Sequence, residues 1–140
     1  MKPRTRLLRS LGAALAVAAV VAGCHKEPRC ATCGMRIDPA SRFTAWLVEP
    51  AGQVAFDTPR CALTAWRGAH AAATAARVRE YYSQEVRLAS TLRFVAQSDV
   101  VGPMGPELVP VAPERAAQFA ADHHGAPPVT LDELREGALP

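Results

Sequence analysis

At 140 residues, 49% of them hydrophobic and 21% charged, the chain has material for one modest core. Its formal charge of +3 comes from 16 basic and 13 acidic residues, but Lys2, Arg4, Arg6 and Arg9 crowd the N-terminus. Setting those four aside leaves 12 basic against 13 acidic residues, a near-neutral remainder with no electrostatic footprint for a nucleic acid.

The first residues have the form of an export signal. A basic stretch to Arg9 precedes an apolar run from Leu11 to Ala22, too short to span a bilayer but suited to a signal peptide. It ends in Val21-Ala22-Gly23-Cys24, which is similar to the lipobox after which lipoprotein signal peptides are cut. We therefore expect a signal peptide over 1–23, a lipidated tether over 24–29 beginning at Cys24, and one metal-binding domain over 30–140. Each buried methylene of an acyl chain contributes about 0.8 kcal/mol, so several chains on Cys24 would fix the protein to a membrane. The expected location is the periplasmic face, at the outer membrane rather than the inner. With no twin-arginine pair the chain would cross unfolded and take up any metal outside the cytoplasm. Lipid on Cys24 leaves Cys30, Cys33 and Cys61, an odd number that cannot all pair in an oxidising compartment.

Beyond the tether, Phe43–Val48 and Gln53–Phe56 alternate around the turn residues Glu49-Pro-Ala-Gly52, which predicts two strands. Asp57-Thr58-Pro59 predicts a helix start, with Thr58 as N-cap and Pro59 at the first helical position. That helix would run to about Ala69 with Cys61 in its first turn, and the alanine run 69–76 would extend it or form another. Val78–Gln84 and Leu92–Gln97 look extended. Arg42-Phe-Thr-Ala45 recurs as Arg93-Phe-Val-Ala96, and each is followed by a second strand (Leu108–Val111 in the later half) and a helix opened by proline, Pro59 or Pro113. Gly125 would stop the second helix, Val129 would give a short strand, and Thr130-Leu-Asp-Glu133 has capping-box spacing. The expected fold class is α+β, with two related β-β-α-β halves forming one small domain. Trp46, Trp66, Phe43, Phe56, Phe94 and Phe119 are assigned to the core, and Tyr81 and Tyr82 to opposite faces of a strand.

The chemistry concentrates in Cys30-Ala-Thr-Cys33-Gly-Met35. As a zinc half-site it lacks a second Cys-x-x-Cys, so Cys61 and a histidine would have to complete it at long range. As a thiol–disulfide site it lies at the very start of the domain rather than at a helix start after a strand. With Met35 included it offers two thiolates and a thioether, soft ligands that favour Cu(I), and Gly34 permits the tight bend that turns Cys33 and Met35 toward one ion. Met104 sits in Gly102-Pro-Met-Gly-Pro106, where it would be displayed rather than packed, and is a further metal-ligand candidate. Cys61 and His123 are weaker ones. His123 and His124 end the second helix, His25 and His70 are expected bystanders, and an edge position of the thiols would let a partner displace them stepwise. No motif supports catalysis, and the chain is not expected to be an enzyme.

The lipobox, Cys30-x-x-Cys33-Gly34-Met35-x-Ile37-Asp38, Gly52-x-Val-Ala-Phe56-Asp57 with Cys61 at a helix start, Met104-Gly105, Ala116-x-x-Phe119-Ala120 and Leu131-Asp-Glu-Leu134 together resemble the NosL family. The resemblance implies a Cu(I)-binding chaperone lipoprotein that serves assembly of nitrous oxide reductase in denitrification, beside an ABC-type maturation complex. It implies Cys33, Met35 and Met104 as ligands, with Cys30 next, and a fold of two strand-strand-helix-strand halves. Gly125-Ala-Pro-Pro128 departs from the glycine-rich pattern expected there. Periplasmic thiol–disulfide exchange through Cys30 and Cys33 and a structural zinc module remain the alternatives.

Overall fold

The two alternating segments after the thiol loop pair as expected. In a computed structural model, which describes residues 27–137 and 139, β1 (Ala45–Glu49) and β2 (Gly52–Phe56) form an antiparallel hairpin. Ala45 faces Phe56 and Glu49 faces Gly52 across it. β3 (Ala75–Arg79) pairs with the other edge of β1, and β4 (Val86–Leu88) pairs with β3. The sheet order is β2-β1-β3-β4. Because side chains alternate across a strand, Ala45, Leu47, Ala76 and Val78 fall on one face and are buried there. α1 (Pro59–Trp66) packs its Ala62, Leu63, Ala65 and Trp66 in the same core as Phe56.

The second half is smaller. β5 (Arg93–Val95) pairs with β8 (Val109–Val111), and between them β6 (Val101–Gly102) and β7 (Gly105–Pro106) form a separate hairpin with Pro103 and Met104 at its tip. α2 (Pro113–Asp122) lays Ala116 and Phe119 on Val95, Val109 and Val111 to make a second buried cluster. α3 (Leu131–Glu136) closes the described chain. Its capping box is complete: the Thr130 hydroxyl accepts from the Glu133 amide, and the Glu133 carboxylate accepts from the Thr130 amide. The fold is α+β, as expected. Among the described residues no helix is long and apolar enough to cross a membrane. The expected signal peptide and Cys24 lie outside the described residues.

Several local expectations are corrected. The alanine run does not continue α1: the chain turns after Trp66, whose indole N–H donates to the Ala73 carbonyl at 2.9 Å, and Ala75 and Ala76 join β3. Sheet pairing with β1 overrides the helix propensity of alanine there. Tyr81 and Tyr82 sit in a turn rather than a strand, and both rings pack edge-on against Phe119. Trp46 and Phe43 are only half-buried, and Trp46 faces away from the core beneath the Arg79 guanidinium. α2 ends at Asp122, with His124 rather than Gly125 taking the left-handed conformation (φ 52°). Gly125 serves close packing: a Cβ there would lie 2.4 Å from Cγ1 of Val95. The halves differ in extent, since β1 has full strands on both edges whereas β5 has β8 on one side and a single bridge from Phe94 to Val129 on the other.

Candidate metal centre

The thiol motif lies on a loop tied at its neck. Arg29 and Arg36 form an isolated bridge, and the Ile37 amide donates to the Pro28 carbonyl at 2.9 Å. Inside the neck the Gly34 amide donates to the Cys30 carbonyl at 2.8 Å and the Cys30 amide to the Met35 carbonyl at 2.9 Å. A turn that tight needs a left-handed residue, and Gly34 supplies it at φ 76°. The turn brings Cys33 back toward Cys30.

Cys61 arrives from α1. Thr58 caps the helix, its hydroxyl accepting from the Cys61 amide at 3.2 Å, and Pro59 takes the first turn, so Cys61 sits where the backbone is best fixed. The Thr32 hydroxyl donates to the Cys61 carbonyl at 2.9 Å and clasps loop to helix. The result is that the sulfurs of Cys30, Cys33 and Cys61 all lie within 4.8 Å of one another. The centre of a triangle with such edges is about 2.8 Å from each corner, so metal–thiolate bonds of about 2.3 Å need only a small contraction. All three cysteines are free thiols.

Their electrostatics are unequal. Burial raises the Cys30 thiol, but backbone amides of Asp57, Cys33 and Thr32 and the Cys33 thiol donate to its sulfur and bring its pKa below the ordinary value. Burial holds Cys33 above its ordinary value, and it pushes Cys61 up to about 12. Cys30 is therefore the natural first thiolate, and the others give up their protons only to a cation. Asp57, 3% exposed, has its carboxyl raised by burial, and its Oδ2 has no hydrogen-bond partner among the described residues.

The expected ligands thus divide. Cys30 and Cys33 converge with Cys61, which spacing alone had left as a weaker candidate. Cys30 and Cys61 are buried, at 2% and 6% exposure, and only Cys33 is half-open. This corrects the expectation that the thiols lie open at a domain edge: the loop folds over them. Met35, 39% exposed, stands at the rim of the loop. Met104, 58% exposed, is displayed at the β6–β7 tip as its turn-rich surroundings predicted. His123 stacks on Phe119 and pairs with Asp99 at 2.7 Å, a local role at the end of α2. Glu107, between the Met104 hairpin and α1, has no signature in the sequence because a lone glutamate carries no spacing signal.

Among solved structures, the chain resembles the crystal structure of the copper chaperone NosL from Shewanella denitrificans, with a TM-score of 0.64 at 18% sequence identity. The match covers 76% of this chain and 88% of that one, and at this identity it establishes a shared fold. No curated protein matches the sequence. The family model described as NosL matches residues 22–139, nearly the whole chain beyond the expected signal, and the chain therefore belongs to the NosL family.

Proposed function

We propose that this protein is a non-enzymatic Cu(I) carrier, anchored by lipid on Cys24 to the periplasmic face of a bacterial membrane, that delivers copper for assembly of nitrous oxide reductase through an ABC-type maturation complex. The observation that carries this reading is the convergence of three free thiols from two distant segments within 4.8 Å. Sulfur-only sites select soft ions, and Cu(I) is the soft ion most suited to thiolates joined by thioethers. Met35 at the rim and Met104 on its hairpin are the exposed thioethers that would join the thiolates in receiving and releasing a cargo. The copper chaperone of the same fold supports the reading, as does membership of the family. The client and the membrane follow from the resemblance and the lipobox.

The test is an anaerobic titration of the mature chain, with Cys24→Ser to remove the lipid, against a chromogenic Cu(I) chelator. One ion should bind per chain. Cys33→Ser and Cys61→Ser should each weaken binding by more than about 100-fold, because even residues outside the ligand set typically cost about 10- to 100-fold. Zinc should not compete at equal concentration. Unchanged affinity in both serine variants would refute the site, and tighter zinc than copper binding would turn the protein into a structural zinc module.

A further inference from the structure

Glu107 is a buried carboxylate that no ligand role absorbs. Glutamate is almost never fully buried without partners arranged for it, yet Glu107 is 1% exposed. Its Oε1 accepts from the Leu108 amide at 2.9 Å and from the Arg60 amide at 3.3 Å, and its carboxylate is also hydrogen-bonded to the Thr58 side chain. Thr58 is the N-cap of α1, and Arg60 immediately precedes Cys61. The other side of Glu107 faces the β6–β7 hairpin. A Cβ on Gly102 would lie 3.1 Å from its Oε2 and 3.2 Å from its own Cβ, so β6 lies flat against this side chain. The Glu107 amide donates to the Val100 carbonyl at 3.2 Å and closes the hairpin neck. A second tie runs from the Arg60 guanidinium to the Pro106 carbonyl at 3.5 Å.

These ties matter because each strand of the hairpin has two residues, and even longer isolated hairpins are marginal in water. The position of Met104 is therefore set from outside the hairpin. We propose that Glu107 is a positioning residue that braces the Met104 hairpin on the first turn of α1, so that the Met104 thioether is delivered to the ion held by Cys30, Cys33 and Cys61. This rests on the copper-carrier reading. Glu107 itself touches no metal. It acts by joining the thioether to the helix that carries Cys61, as residues behind a metal's ligands commonly fix their orientation.

The mature chain with Cys24→Ser is titrated with Cu(I) against a chelator in a double-mutant cycle of Glu107→Ala with Met104→Leu. Each single change should weaken binding by about 10- to 100-fold, and the double variant should be no weaker than Met104→Leu alone. Glu107→Gln keeps a carbonyl oxygen for the two backbone amides and should retain near-wild-type affinity. The isotope-labelled methyl signal of Met104 should shift on Cu(I) addition in wild type and Glu107→Gln, and stay in place in Glu107→Ala. Should Glu107→Ala fail to fold, Gly102→Ala displaces the same side chain by a few tenths of an ångström and should weaken binding only when Met104 is present. Equal losses with and without Met104, or a Met104→Leu variant that binds as wild type, would overturn the brace. If Cys33→Ser also binds as wild type, the copper-carrier reading fails as well; if it loses binding while these other results are seen, the brace alone is wrong.

Discussion

In the proposed copper site the three cysteines would divide the work of holding an ion by their proton affinities. Cys30, stabilised as a thiolate by converging amides, offers charge first, while Cys33 and Cys61 hold protons that the ion must displace. Affinity should therefore rise with pH, because protons compete with the ion for raised thiols, and it should fall further as pH drops through the lowered value of Cys30. Calorimetric titration in buffers of different ionisation enthalpy should show net release of protons on binding near neutral pH. Binding without proton release would exclude this ligand set. Much of this was legible in the sequence: Cys30, Cys33 and Met35 stand within one short motif, and soft ligands close in sequence declare their chemistry. Cys61 was legible only as a weaker candidate, because its approach depends on the Thr32 clasp and on how α1 is seated, neither of which leaves a trace in spacing.

At the level of elements, the start of α1 is what turns a cysteine into part of the site. Thr58 both caps the helix and hydrogen-bonds toward Glu107, so Thr58→Ala should lower stability by about 1 kcal/mol, read as a drop in the thermal midpoint. It should also weaken Cu(I) binding, whereas Thr91→Ala, at an exposed 3-10 turn, should leave binding unchanged. A normal Cu(I) affinity in Thr58→Ala would show that the helix start does not position Cys61. Helix starts were readable from Thr58-Pro59, Pro113 and Thr130–Glu133 because a capping hydroxyl (Thr58, Thr130) or a proline in the first turn (Pro59, Pro113) is a local signal. The end of α1 was not, because alanine is a good helix former and only the tertiary capture of the Ala73 carbonyl by Trp66, with pairing to β1, diverts Ala75 and Ala76 into β3.

On the scale of the whole molecule, Glu80 is one of the ties between the β1–β4 sheet and the start of α2. It leaves the end of β3 and accepts from the Tyr82 amide at 3.0 Å and the Ser83 amide at 2.6 Å, and from the Ala112 amide at 3.3 Å at the threshold of α2. Burial raises its carboxyl, but these donors together outweigh that and hold its pKa below the ordinary glutamate value. Glu80→Ala should cost on the order of 3 kcal/mol in urea unfolding, since buried amides lose their acceptor. For a carboxylate depressed in the folded state, the stabilisation is present above the ordinary glutamate range and fades as pH falls through the lowered native value. The gap between wild type and Glu80→Ala should therefore close in acid, and a gap independent of pH would count against this role. The α+β class was readable from the mixture of alternating and proline-opened segments, but the pairing of β1 on both edges and the small extent of the β5–β8 ladder could not be foreseen from composition. Finally, with Cys30 and Cys61 walled in and Cys33 at the only half-open position among the three, an acceptor has a single direction of approach. Under the proposed carrier function, an acceptor ligand would bond to the copper before the inner thiols let go, so transfer would pass through a moment when donor and acceptor share the ion. Its rate would climb with acceptor concentration, and the metal would not be set loose in water.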